Sequence, residues 1–412
     1  MRRSLAAVIV GFLVIAGLQA APASAAAKTP TKVGLVSFVK ADYVLKTNRT
    51  TLSLDWPDAR HARKYEIFVS KSRSMKKAKV YVQKSSKTKI TKLTRGTTYY
   101  FQVRGVNGKK HGAKSAVVAR TTILRNGPTE NLLPVRIMTY NVCSRVCDDN
   151  GQPWTPRQAA VWERAAASGA DVIATQEGDN LAEIPGYTRA IYFSAKAIWY
   201  NAARFAVAAP TTPVTPTGPV DPATKCRVSS DVTQPTGNIY LGHHAGGCRY
   251  AVWAELVDRA TGRSFMMVDV HTVSGKTKTT TDNRRTEINQ VLATMKIVNT
   301  KRLPLIYAGD FNSHRESKPS DSVRPPLQAT KHYDAFDLAR KVSGQHQSSY
   351  NGFKTDPVIS VLYGNHIDKV WVDPWKVRVD GWYNFANMGA DGKLVQPIGS
   401  DHSPIVVDLR IG

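Results

Sequence analysis

The chain is short of acid. Its 412 residues hold 31 Asp and Glu against 57 Lys and Arg, a formal net charge of +26. The shortage is uneven. Residues 26–130 carry 24 Lys and Arg against 5 Asp and Glu, while residues 131–412 carry 31 against 26. The basic excess therefore belongs to the N-terminal quarter, and it speaks to partners rather than to fold. Cysteine is scarce too. There are four, none before Cys143, and no Cys-x-x-Cys pair, which weighs against a zinc site. After the first 25 residues no stretch is long and apolar enough to be a membrane-spanning helix.

What is present at the start is a targeting pattern. Arg2 and Arg3 precede an apolar run from Leu5 to Leu18, and Ala23-Ser24-Ala25 follows as a small-residue cleavage site. Residues 1–25 read as a secretory signal peptide, so the mature protein is expected outside the cytoplasm. The Arg pair lacks the rest of a twin-arginine motif and leaves the export route open. In a secreted chain an even cysteine count favours disulfides. Order along the chain suggests Cys143–Cys147 and Cys226–Cys248, with the other two pairings open. The length suggests two or three domains.

Residues 26–123 alternate as short strands. Thr51–Trp56 alternates and breaks at Pro57; Lys64–Val69 follows; Thr98–Arg104 puts Tyr99, Phe101 and Val103 on one face. About 95 residues of such strands suit an all-β sandwich. The placement of Trp56, Tyr65, Leu93–Tyr99 and Val106-Asn107-Gly108 resembles a fibronectin type III domain. That resemblance implies a core role for Trp56 and a corner role for Tyr99. Lys71, Arg73, Lys76, Lys77, Lys79, Lys84, Lys87, Lys89 and Lys92 crowd this region. They read either as a solvated surface or as a face for a polyanion, nucleic acid or an anionic cell envelope. Tyr81 is the one aromatic among them, so base stacking is not indicated. Residues 124–131 are polar, contain Gly and Pro, and read as a linker.

Residues 132–412 read as a catalytic body in which strands end on polar groups. Pro304-Leu-Ile-Tyr-Ala-Gly-Asp-Phe-Asn-Ser313 is a short buried strand with Asp310 and Asn312 projecting from its end. Val135–Asn141 and Asp171–Glu177 are strands ending in Asn141 and Glu177. Ser264–Val270 runs into His271, Asp368 opens a strand, and Gly399–Pro404 carries Asp401 and His402. Ala197–Tyr200 and Phe205–Val207 suggest a hairpin, and Arg284–Val298 a helix. Residues 208–225 read as an exposed Pro/Thr-rich loop. His243 and His244 are expected in an exposed loop, and His314 and His332 at the surface. One polar residue at a strand end is a cap or a turn. Eight in one domain suit a hard cation, which takes oxygen ligands, beside histidines able to act on phosphate oxygens.

Met138–Val142, Thr175-Gln-Glu177, His271-Thr272, Gly309–Ser313, Ile367-Asp368 and Ser400–Pro404 together resemble the endonuclease/exonuclease/phosphatase superfamily. The resemblance implies a deoxyribonuclease I-like α/β four-layer sandwich over residues 132–412. It implies that Glu177, Asn141 and Asp401 bind a divalent ion, Mg²⁺ with Mn²⁺ or Ca²⁺ as alternatives. It implies that Asp310 activates the attacking water, that Asn312 holds the phosphate, that His271 and His402 contact it, and that Asp368 orients His402. Arg249 resembles a family arginine near the phosphate. Around Ser194–Ile198 the carboxylate that some relatives pair with the first histidine is missing.

The expectation is a secreted, metal-dependent phosphodiesterase, foremost an extracellular nuclease, with a basic accessory domain. The alternatives are a sphingomyelinase-like phospholipase C, a sugar- or inositol-phosphate phosphatase, and a non-catalytic envelope-binding protein. The 208–225 loop lacks the aromatics a lipid surface would favour.

Overall fold

The computed structural model describes residues 27–209, 220–229, 233–244 and 247–412. The signal-peptide stretch 1–25 and most of the Pro/Thr-rich loop lie outside the described residues.

The N-terminal region is a β-sandwich. One sheet holds the strands Ser37–Val44, Arg49–Asp55 and Lys87–Thr94; the other holds Lys79–Gln83, Lys64–Ser70, Thr98–Asn107, Lys110–His111 and Val118–Thr121. The alternation seen in the sequence sorts Leu52, Leu54, Ile67, Phe101 and Val103 inward. Trp56 is buried edge-to-face on Tyr65, with centroids 5.4 Å apart. The Tyr99 hydroxyl accepts from the Thr94 N–H at 3.0 Å, pinning a sandwich corner.

The larger region is four layers. One sheet is ordered Thr188–Phe193, Lys196–Tyr200, Val172–Gln176, Leu133–Asn141, Ile405–Ile411, Val377–Asn384, Lys341–Ser343. The second runs Phe205–Val207, Gly247–Asp258, Ser264–His271, Leu305–Asp310, Asp368–Val372, Tyr333–Asp334, with Thr236–His244 also paired to Gly247–Asp258. A core including Ile137, Ala174, Ile198, Val252, Met267, Ile306 and Val407 fills the space between the sheets. The helix Trp154–Ser168 covers the outer face of the first sheet with Val161 and Ala165. It stops at Gly169, whose φ of 58° is the left-handed cap conformation. The helix Lys278–Val298 covers the second sheet with Ile288, Val291 and Met295.

Three local expectations are corrected. Ala197–Tyr200 and Phe205–Val207 do not form a hairpin. Lys196–Tyr200 pairs back onto Thr188–Phe193, through Ser194 and Ala195 at positive φ, whereas Phe205–Val207 joins the second sheet. Phe205 is fully buried against Phe265 between the sheets, which draws the chain across at residues 201–204. His243 and His244 end the strand Thr236–His244 rather than a loop. His332 is buried, edge-on against Tyr307 with centroids 4.9 Å apart, and His314 is half-buried.

The sandwich is not loosely hung. Lys40 pairs with Lys341, so its first sheet extends the larger region's first sheet into ten strands. The Ala41 N–H donates to Arg340 O at 2.7 Å. Gln345 Nε2 donates to Phe38 O at 3.1 Å, and the His346 ring bonds Val36 O at 2.9 Å. Arg120, 1 % exposed, reaches into the larger region, donates to Ala339 O at 3.1 Å and lies over the Phe336 ring.

Candidate active site

Strand register builds the site. Val172–Gln176 runs parallel to Leu133–Asn141 with Gln176 opposite Asn141, so Glu177 emerges beside Asn141. In the other sheet, parallel pairing sets His271 opposite Asp310, and antiparallel pairing sets Asp310 opposite Asp368. The polar ends of both sheets therefore meet at one edge. Gly309 is required for this. Its φ is +148°, and a Cβ there would stand 1.8 Å from Val270 O, so only glycine lets these two strands close up.

The residues singled out from the sequence gather around Asp310. Asn141 Nδ2 donates to Glu177 Oε1 at 3.0 Å and to Asp310 Oδ2 at 3.2 Å. His271 Nε2 lies 3.7 Å from both Glu177 Oε1 and Asp310 Oδ2, and His402 Nε2 lies 3.8 Å from Asp310 Oδ2. The His402 Nδ1–H donates to Asp368 Oδ2 at 2.8 Å. Asn312 donates its backbone N–H to Asp310 Oδ1 at 2.8 Å, and its side-chain amide to Thr272 O at 3.0 Å. Arg249 donates to His271 O at 3.1 Å. Asp401 adjoins His402, with Ser400 Oγ donating to it at 3.3 Å. Glu177, Arg249, His271, Asp310, Asn312, Asp401 and His402 all line one open cleft of about 700 Å³. The side chain of Asn141 turns its amide toward Glu177 and Asp310. Its oxygen accepts from the Cys143 N–H at 3.0 Å, because two carboxylates face its donor side.

The electrostatics split the two histidines. Burial lowers His402, but Asp368, Asp310 and Asp401 outweigh burial and push it up to about 10, so it is an imidazolium at neutral pH. Burial, reinforced by Arg249 and Lys196, holds His271 well below its ordinary value, so it stays neutral. Burial and the neighbouring Asp368 push Asp310 up to about 7. Glu177 and Asp401 are also raised, chiefly by burial. Oppositely shifted groups around one point are the pattern of an acid–base site.

The donor set fits a hard divalent ion. Among the described residues two geometric clusters can be drawn: Asp310–Asp368–His402 and Cys143–Cys147–Asp401. The two cysteines are joined as a disulfide and cannot ligate. His402 and Asp368 are spent on one another. Glu177, Asp310 and Asp401 line the same cleft, each carboxyl held up chiefly by burial, a cost that an oxygen-seeking cation would offset.

Several supports left no local signal in the sequence. Arg157, 3 % exposed, donates to the carbonyls of Cys143 at 3.0 Å and Gly399 at 2.7 Å, tying the loops after Asn141 and before Asp401. Ser349 Oγ accepts from the N–H groups of Ile367 and Asp368. Tyr350 bridges to His402 through the backbone and stands edge-on to its ring at 5.3 Å. Where a carboxylate was missing in the hairpin, Lys196 is buried; burial and Arg249 lower its ammonium to about 8. Behind it Asp269 accepts from Gln176 Nε2 at 2.6 Å. The second disulfide is Cys226–Cys248, which precedes Arg249.

Residues 138–402 match the Endonuclease/Exonuclease/phosphatase family. The chain belongs to that family. Its members are phosphoester hydrolases, and the fold of the larger region is that of this family. Residues 42–121 match the Fibronectin type III domain. Comparison with curated proteins finds no match. Among solved structures, an endonuclease/exonuclease/phosphatase family protein from Bacteroides thetaiotaomicron is 18% identical, with a TM-score of 0.50 over 68% of this chain and 99% of its own. A mannosyl-6-phosphatase from the same organism is 17% identical, with a TM-score of 0.48 over 67% of this chain and 99% of its own. D. rerio TDP2 complexed with a single-strand DNA product is 15% identical, with a TM-score of 0.47 over 67% and 98%.

Proposed function

We propose that the protein is a secreted, divalent-metal-dependent phosphodiesterase that hydrolyses nucleic acid. One observation carries the chemistry. A charged and a neutral imidazole flank the same buried carboxylate oxygen, Asp310 Oδ2, at 3.8 and 3.7 Å. Asp310, poised near neutrality, accepts the proton of the attacking water as its oxygen bonds to phosphorus. His402, held as the imidazolium by Asp368, hydrogen-bonds the phosphoryl oxygens and gives its proton to the leaving oxygen as the P–O bond breaks. Asn312 and Arg249 line the same cleft and orient the phosphate. Glu177, with Asp401, would hold the metal; Asn141 donates its amide to Glu177 and to Asp310. When bound, Mg²⁺, Mn²⁺ or Ca²⁺ supplies charge neutralisation on the phosphate and a more acidic water.

The choice of nucleic acid among phosphodiesters rests on the basic sandwich, whose exposed lysines suit a polyanion. Export is supported by the first 25 residues and by the two disulfides, which suit an oxidising compartment. The test is plasmid nicking by the full chain with Mg²⁺, with EDTA, and as His402→Ala. Nicking that needs both the metal and His402 is the expected result. Folded protein that nicks under none of Mg²⁺, Mn²⁺ and Ca²⁺ would overturn the substrate and send the same residues to phospholipid and phosphomonoester substrates.

A further inference from the structure

The basic loop of the sandwich lies on the rim of the catalytic region. Between the strands Lys64–Ser70 and Lys79–Gln83 the chain carries Lys71, Arg73, Lys76, Lys77 and, as the next strand opens, Lys79, all exposed. The loop has a defined shape. Ser70 Oγ donates to Lys76 O at 2.7 Å and accepts from the Ser72 N–H at 3.0 Å, and Met75 and Lys77 take positive φ. Arg73 Nη2 then meets Glu316 Oε1 of the larger region at 3.0 Å.

Glu316 is where two clefts become relevant. It lines a second cleft, of about 550 Å³, together with Lys276, Asn312, Lys318 and Tyr350. Lys276, Asn312 and Tyr350 also line the cleft around Asp310. The two clefts therefore share a wall that includes exposed Lys276, and the second cleft, with exposed Lys318, reaches Glu316 and through it Arg73 of the sandwich loop. The sandwich that carries the loop lysines is docked on the larger region. The shared ten-stranded sheet, the buried Arg120 and the Tyr100–Tyr363 hydroxyl bond at 2.9 Å hold the sandwich in place.

We propose that the catalytic cleft, the second cleft and the Lys71–Lys79 loop form one track for the phosphate backbone of a nucleic acid, with the sandwich as its immobile far end. The proposal rests on the nuclease reading above. It goes further in making the sandwich part of the substrate site, not a tether that raises local concentration. The lysines Lys87 and Lys89 on the outermost strand of the ten-stranded sheet are a different case, since lysines on an edge strand guard against edge-to-edge pairing. The loop lysines sit beside a cleft and need another explanation. Regularly spaced phosphates supply one, because each neutralised phosphate releases counterions whatever the base sequence.

The experiment is fluorescence anisotropy on the full chain in EDTA, with labelled duplexes of about 8 and about 24 base pairs over a range of salt. The native protein is expected to bind the long duplex about tenfold or more tightly than the short one. The combined variant Lys71→Gln, Lys76→Gln, Lys77→Gln, Lys79→Gln is expected to lose most of that gain. Its log–log salt slope for the long duplex should flatten by about 2 to 4, at about 0.9 per phosphate contact. Equal binding of both lengths by the native protein, or an unchanged slope in the variant, would overturn the track. So would tighter binding of polyglycerol phosphate than of duplex at matched charge, which would make the loop an envelope contact. Because binding is read without metal, length-dependent binding without hydrolysis would overturn the nuclease chemistry and leave the track standing.

Discussion

The two regions of this molecule are both sandwiches of β-sheet, and they use charge in opposite ways. In the N-terminal sandwich, among the described residues, Arg120 is the one ionisable Lys, Arg, Asp, Glu or His that is buried, and it points into the neighbouring region. The remaining basic residues there face solvent or the rim of the cleft. The larger region buries charge repeatedly: Arg157, Lys196, Asp269, Arg284, Glu287, Asp310, Asp334, Asp368, Lys369 and His402 are all under a tenth exposed. Exposed charge shapes a long-range field and costs the fold little. Buried charge is expensive unless paired, so it persists where partners hold it or chemistry uses it. The first region thus reads as an electrostatic surface, the second as an electrostatic interior.

The largest break in that contrast comes from the reacting centre. Asp310→Asn should cut kcat on the order of 10³-fold while the melting temperature holds or rises, because the replaced group is a carboxylate buried at a cost. A large fall in thermal stability with full activity would show that Asp310 is a structural charge like its neighbours.

A smaller effect is expected from a buried charge remote from the chemistry. Asp334 accepts from Lys369 Nζ at 2.9 Å and from Arg324 at 3.2 Å, all within a cluster that includes Asp321 and Asp337. Asp334→Ala leaves cations buried without it and should cost about 3–5 kcal/mol in urea unfolding. Burial works against its ionised form, but Lys369 and Arg324 outweigh burial and hold the carboxyl below the usual range. A folded value below the unfolded one gives stability that is present above about pH 4 and lost as pH falls further. Acid titration of the native protein should therefore show weakening below about pH 4, and Asp334→Ala should show less of it. A pH-independent difference between the two proteins would contradict this account.

The smallest effect sharpens the boundary itself. Arg120→Ala removes the donor to Ala339 O and the contact with the Phe336 ring, and should cost about 1–3 kcal/mol. Differential scanning calorimetry should show the native protein melting in a single transition and the variant with the sandwich beginning to melt apart. Two separate transitions in the native protein would mean that the regions are only neighbours.

The sequence was most legible where short motifs coincide with strand ends. Asn141, Glu177, His271 and Asp310 follow an apolar run closely and Asp368 and His402 precede one, so both the strand and its polar end could be read together. Cys143–Cys147 and Cys226–Cys248 could be ordered by adjacency, and both form. The helix over the second sheet was read from Arg284, but it starts at Lys278. Its first turn is rich in Thr and is held by a capping box between Thr277 and Thr280, with little apolar signal. The false hairpin at 197–207 arose because two apolar runs separated by a short polar turn look alike whether they share a sheet or face each other across a core. Arg157 and Lys196 escaped notice because their partners are distant in the chain or lie on the far face of a sheet. The docking of the sandwich was invisible for the same reason: residues 124–131 do read as a linker, and the contacts that fix the two regions lie elsewhere.

The pairing of Lys40 with Lys341 also constrains the order of folding. The sandwich has a complete apolar core of its own and can collapse once residue 123 has been made. Its strand Ser37–Val44 then waits with one edge unpaired until a segment about 300 residues later arrives. During that interval the edge is open to any other strand, including the same strand of another chain. Lys40 and the register shift between Phe38 and Lys40 sit on that edge. A charged, irregular strand is a poor template for indiscriminate pairing, so the sequence that later joins the two regions also protects the first while it waits.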